Sequence, residues 1–137
     1  MAVVKELIRT ENGNTLSFGD YTLSEKAKKS DYEMGGNSYK VKTYKDITRL
    51  ERNDAFVYES VPGTAVYSLR ADENSVEFEV EGAQDAQIIV GGEPETSYEI
   101  YINGKMTDEE KASLSGKVSF SVELEEGKRI AVKLVRR

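Results

Sequence analysis

Six residues set the terms for this chain. Val76-Glu77-Phe78-Glu79-Val80-Glu81 alternates apolar and acidic side chains at a period of two. Only a β-strand places every second side chain on one face, so the run predicts a strand with one buried and one solvated side. The pattern recurs: Tyr98, Ile100 and Ile102 interleave with Glu99 and Tyr101, Val118, Phe120, Val122 and Leu124 interleave with Lys117, Ser119, Ser121 and Glu123, and Ile130, Val132 and Leu134 share a face. Turn formers separate the runs, among them Asn12-Gly13, Gly35-Gly36, Asn53-Asp54, Asn103-Gly104 and Glu126-Gly127. Asn-Gly is a strong hairpin signal because both turn residues need positive φ.

Strands with one apolar face need a partner layer. The expected fold is therefore all-β, with antiparallel sheets and hairpins. About 10–12 strands at 8–12-residue spacing would form two packed layers or two small β lobes. Residues 24–30 read as a loop or the approach to a strand. Val61-Pro62-Gly63-Thr64 carries the type II turn signature, with Gly at the position that takes positive φ. Thr107-x-x-Glu110 is a capping box and predicts one or two helical turns over 107–114.

Charge suggests a division. Residues 1–70 hold 11 Lys/Arg against 10 Asp/Glu, and residues 71–137 hold 8 against 15. With the turn at Asp72-Glu73-Asn74, this predicts a Tyr-rich β-meander lobe over 1–70 and a small acidic, sandwich-like lobe over 75–137. The inward set of the second lobe is expected to be Val76, Phe78, Val80, Ile88, Val90, Tyr98, Ile100, Ile102, Val118, Phe120, Val122, Leu124, Ile130, Val132 and Leu134.

Composition narrows the chemistry. The chain has no His and no Cys, which removes Ser-His-Asp and thiol catalysis, cysteine–histidine zinc sites and disulfides. Carboxylates remain. Glu77, Glu79 and Glu81 recur at roughly 7 Å along one strand face, a spacing an inverting glycosidase could use. The simpler reading is a solvated face that also discourages edge pairing. Asp72-Glu73-Asn74 and Asp108-Glu109-Glu110 lack the EF-hand spacing and suit turns and caps. No catalytic residue, metal site or cofactor is assigned. The formal charge of −6 and the absence of any basic run longer than Lys28-Lys29 argue against nucleic acid and anionic membrane as partners. The start Met1-Ala2-Val3-Val4-Lys5-Glu6 shows no signal peptide, so the cytoplasm is the expected location.

Tyrosine is the compositional oddity: six of eight lie within residues 21–67. Tyr is enriched at recognition surfaces and is also a good strand residue. Tyr39 shares a face with Val41 and is expected in the core, as is Tyr58, which shares a face with Phe56. Tyr44 lies on the opposite face with Lys40 and Lys42, and Tyr32 sits near the Gly35-Gly36 turn. Tyr32, Tyr44, Lys40 and Lys42 are the candidate binding residues. They suit an acidic partner, which the Glu77, Glu79 and Glu81 face of a second copy could supply.

The opening Met1-Ala-Val-Val-Lys-Glu-Leu-Ile-Arg resembles a family of short bacterial proteins commonly labelled endosialidase. So do Ser17-Phe-Gly-Asp-Tyr-Thr-Leu, Tyr39-Lys-Val-Lys-Thr and Val57-Tyr-Glu-Ser-Val-Pro-Gly-Thr, and the resemblance covers most of the chain. The label implies hydrolysis of a sialic-acid polymer, and the resemblance carries no catalytic residue onto this sequence. Tyr98-Glu-Ile-Tyr-Ile-Asn-Gly-Lys is also similar to Ig-like accessory modules found beside glycan-active enzymes. The expected function is a non-catalytic binding or assembly module whose partner is a protein, a second copy or a glycan. The alternatives are a small sialidase-type hydrolase using carboxylates and a structural homo-oligomer.

Overall fold

The computed structural model describes residues 3–137, which contain no helix and 13 strands. These are β1 (Ile8–Glu11), β2 (Thr15–Phe18), β3 (Ala27–Met34), β4 (Asn37–Tyr44), β5 (Ile47–Arg52), β6 (Ala55–Val61), β7 (Ala65–Ala71), β8 (Ser75–Glu81), β9 (Ala86–Gly91), β10 (Ser97–Ile102), β11 (Lys105–Lys111), β12 (Lys117–Val122) and β13 (Ile130–Arg136). They form two antiparallel sheets packed face to face. One has seven strands in the order β1-β2-β7-β8-β13-β10-β11, the other six in the order β12-β9-β6-β5-β4-β3.

Local chemistry explains the hairpins. Gly35-Gly36, Asn53-Asp54 and Asn103-Gly104 each supply two consecutive residues of positive φ between paired strand ends, the geometry whose twist matches the flanking strands. The corner at 61–64 differs from the expected type II turn. The Val61–Pro62 peptide is cis and Gly63 does not take positive φ. Glycine is needed there for room, because a Cβ would collide with the Tyr44 carbonyl oxygen.

The helix expected over 107–114 is absent, and Lys105–Lys111 is strand β11. The Asn103-Gly104 turn folds this segment back onto β10, whose backbone groups satisfy its own. A helix of one or two turns has no comparable set of partners. The Thr107 hydroxyl accordingly donates to the Ile100 carbonyl rather than capping a helix.

The two halves lie side by side within one sandwich. Residues 3–71 contribute β1, β2 and β7 to one sheet and β3–β6 to the other. Residues 75–136 contribute β8, β10, β11 and β13 to the first and β9 and β12 to the second. The charge boundary at 72–74 coincides with the seam, and the ladders β7–β8 and β6–β9 hydrogen-bond across it. A single buried cluster runs through both halves, from Ile8, Leu16, Phe18 and Tyr58 to Phe78, Phe120 and Leu134. Every member of the expected inward set of 75–137 is buried except Ile102, which packs half-buried against the cluster.

Tyr58 sits at the centre, edge-on to Phe18 and Phe78 at centroid distances of 5.4 and 5.5 Å. Its hydroxyl meets a buried set of hydroxyls. Thr64 Oγ1 lies 2.9 Å from Tyr58 Oη and 2.8 Å from Ser60 Oγ, while Thr48 Oγ1 donates to the Thr64 carbonyl and shares a hydrogen bond with Thr43. Buried polar groups persist when their hydrogen bonds are made, and this set ties the β4–β5 turn to the 61–64 corner.

Candidate functional site

The outer face of the six-stranded sheet is set by β4, where Val41 and Thr43 point inward and Lys40, Lys42 and Tyr44 outward. Register then fixes their neighbours. Lys42 lies opposite Lys28 on β3 and opposite Arg49 on β5, so three cations stand in a row across three adjacent strands. Directly opposed like charges destabilise a sheet. Arg49 is compensated: it bonds Glu59 at 2.8 Å and Glu51 at 3.1 Å. Lys40 reaches Glu51 at 3.3 Å. Among the described residues, Lys28 and Lys42 have no ion-pair partner. A depression of about 280 Å³ is bounded by Lys28, Lys40, Lys42, Arg49 and Glu51. Burial opposes ionisation of Glu51, but Arg49 and Lys40 outweigh it and hold this carboxylate below its usual range.

Phe56 joins this face by a route the sequence pattern conceals. Leu50 pairs with Tyr58 while Glu51 pairs with Phe56, so Val57 is an extra residue in β6. The bulge breaks the alternation and sends Phe56 outward while Tyr58 stays in the core. The expectation that the two share a face is thus corrected. The Phe56 ring lies between two cations, with Lys117 Nζ at 4.7 Å and the Arg49 guanidinium at 5.3 Å from its centroid. Such contacts are cation–π pairs.

Of the candidate residues, Lys40, Lys42 and Tyr44 fall together on this face. Tyr44 is half-buried, with Lys26 Nζ 5.8 Å from its ring, and partial burial together with the nearby Asp46 carboxylate pushes its hydroxyl up. Tyr32 is elsewhere. It pairs with the inward-facing Tyr39 and packs at the sandwich edge, where its hydroxyl lies 2.8 Å from Thr10 Oγ1 and joins β3 to β1. Among the other tyrosines of the first half, Tyr39 and Tyr58 are in the core. Tyr21 and Tyr67 are buried with Val4 and Ala65 in a smaller cluster. Lys28, Arg49 and Phe56 are the members of the face that the sequence reading passed over.

The acidic face of β8 is not a free negative surface. Glu81 is 1% exposed and accepts from the Tyr21 hydroxyl and the Gly127 amide, both at 3.0 Å. Glu77 pairs with Arg70 at 2.8 Å and Lys133 at 3.9 Å, and Glu79 with Arg129 at 3.5 Å. Burial, then the charge of Glu81, pushes the Tyr67 hydroxyl up to about 12. Asp72 is spent on its turn: the amides of Asn74 and Ser75 donate to it and hold it below the usual range. Among the described residues no cluster of acidic side chains is placed to hold a metal ion, and no helix is long and apolar enough to cross a membrane.

Comparison with family models, with curated proteins and with solved structures finds no match for this chain.

Proposed function

We propose that this protein is a non-catalytic binding module that holds an acidic protein surface against the outer face of β3–β5. The observation that carries the reading is the row Lys28–Lys42–Arg49. Its repulsion weakens the free protein, and an anion laid across the row removes that penalty, so binding gains what folding loses. Its depression holds about 280 Å³, below the usual range of small-molecule pockets, and it lies on an outer sheet face, which suits a protein contact. The β8 carboxylates are buried or ion-paired within the chain, which favours a separate acidic partner over the same face of a second copy.

The test uses poly-L-glutamate as the probe. Binding is expected at low ionic strength, weakening with added salt as screened charges do. Lys28→Glu/Lys42→Glu is expected to weaken it by about tenfold or more. Lys105→Glu/Lys128→Glu, an equal charge change elsewhere on the surface, is expected to leave it nearly unaltered. Equal losses from the two double variants would overturn the site. Turnover of a sialic-acid polymer, abolished by Glu77→Gln or Glu79→Gln, would overturn the non-catalytic reading.

A further inference from the structure

β3 closes one side of the six-stranded sheet, with β4 as its single neighbour. Among the described residues, no backbone hydrogen bond beyond the β3–β4 ladder reaches residues 27–30. Every second N–H and C=O of that stretch therefore faces an open edge. β1, from the other sheet, meets β3 further along, where Thr10 bonds Tyr32. The irregularity between Lys29 and Tyr32, with Asp31 at positive φ, ends the regular stretch at Ser30.

Charge decides what such an edge accepts. Lys28 stands opposite Lys42 and shares its outer face, and Lys26 lies on that face too, its Nζ 5.8 Å from the Tyr44 ring. Lys29 stands opposite the inward Val41, with its Nζ 5.8 Å from the Tyr32 ring. All three lysines are exposed, and none has an ion-pair partner among the described residues. Two copies of β3 laid edge to edge would set lysine against lysine, which blocks pairing of like with like. A strand carrying carboxylates meets attraction at the same positions, so one set of charges refuses one partner and selects another. The other edges lack this character. Arg9 of β1 is already paired with Glu6 and Glu11, β11 carries Asp108, Glu109 and Glu110, and Lys117 of β12 is set against the Phe56 ring.

Resting on the reading of β3–β5 as a site for acidic protein, we infer that the partner docks an extended acidic segment as a further strand along residues 27–30. Strand addition of this kind takes its affinity from backbone hydrogen bonds and its selectivity from alternate side chains. The added strand lies about 4.8 Å beyond β3, and its side chains alternate between the two faces. Carboxylates at every second position fall on the face of Lys26 and Lys28, which are themselves two residues and roughly 7 Å apart along the chain. A Glu-x-Glu repeat therefore matches the spacing of the lysines. The carboxylate opposite Lys28 extends the row Lys28–Lys42–Arg49 by one position and gives it the negative neighbour that Lys28 lacks.

The probe is the fluorescein-labelled peptide Glu-Thr-Glu-Thr-Glu-Thr, titrated with the full chain at low ionic strength and followed by polarisation. Two further peptides carry N-methyl groups on every Glu nitrogen or on every Thr nitrogen. All three have the same charge, but in a strand the two sets of N–H groups face opposite sides. One methylated peptide, with its methyl groups turned toward β3, is expected to bind about tenfold or more weakly, and the other within about twofold of the parent peptide. Amide exchange of the protein is expected to slow at alternate residues of 27–30 when the parent peptide binds. Equal affinities of the two methylated peptides, or exchange that does not slow there, would overturn strand addition. So would a parent peptide that fails to bind where poly-L-glutamate binds, and in each of these cases the cationic face itself stands. Poly-L-glutamate and peptide that both bind Lys28→Glu/Lys42→Glu as tightly as the unsubstituted protein would instead overturn the face, and the added strand with it.

Discussion

The Tyr21 hydroxyl donates to the Glu81 carboxylate at 3.0 Å across 60 positions of sequence, and both residues are buried. This bond fastens the segment after β2 to the end of β8 on the outer side of the seven-stranded sheet. A buried carboxylate needs its donors, because leaving it short costs more than the bond itself contributes. Tyr21→Phe is expected to destabilise by about 1.5–3 kcal/mol, the range for hydrogen bonds to charged groups. Glu81→Gln keeps an acceptor oxygen and should lose less. Urea unfolding gives both values; a loss below about 0.5 kcal/mol for Tyr21→Phe is the size of an ordinary surface change and would contradict the clasp.

Alkaline titration reports the buried phenols directly. Burial first, then Glu81, pushes the Tyr21 hydroxyl well up, burial does the same to Tyr58, and Tyr67 rises to about 12. In the unfolded chain these groups ionise near pH 10. Above that pH the unfolded state has lost protons that the folded state retains, so stability is full below about pH 10 and falls as pH rises toward the folded values. Tyrosinate absorbance should show several of the eight tyrosines titrating late, Tyr67 near 12 and others together with unfolding. A single wave of eight near pH 10 would show these hydroxyls to be exposed.

Lys42→Glu offers a second kind of check. A carboxylate placed between Lys28 and Arg49 turns two repulsive cross-strand pairs into attractive ones. The expected gain is roughly 0.2–1 kcal/mol per pair in unfolding free energy, together with weaker binding of poly-L-glutamate. Opposite movement of stability and binding distinguishes a functional charge row from a merely solvated one. A variant less stable than the parent would contradict it.

Residues 75–137 expressed alone are expected to remain unfolded. Removing the first half takes β7 from β8 and β6 from β9, which opens two sheet edges, and it strips Phe18 and Tyr58 from the common core. Far-UV dichroism and denaturant titration of the fragment check this. A cooperative transition would show that the half-sandwich is stable by itself.

The alternation along β8, β10, β12 and β13 specified strands and nearly the whole inward set of the second half, because a period of two and the apolar face it creates are local properties of the backbone. Turn dipeptides specified four hairpin loops for the same reason, at Asn12-Gly13, Gly35-Gly36, Asn53-Asp54 and Asn103-Gly104, since positive φ is a local demand. Even the pairing of Lys42 with Arg49 follows by counting outward from the turn at Lys45-Asp46. Tertiary structure decided the rest. Counting from Gly35-Gly36 sets Lys28 opposite Thr43. An irregularity between Lys29 and Tyr32, where Asp31 takes positive φ, shifts the register by one and sets Lys28 opposite Lys42 instead. The bulge at Val57 likewise moves Phe56 out of the core and into the cationic face. The segment 107–111, which carries a helix cap in its sequence, became a strand because β10 supplied its hydrogen bonds. Registers, bulges and edge strands are settled by partners distant in the chain, so residue types and core faces were legible one strand at a time, whereas the alignment of the three cations arose only when the strands came together.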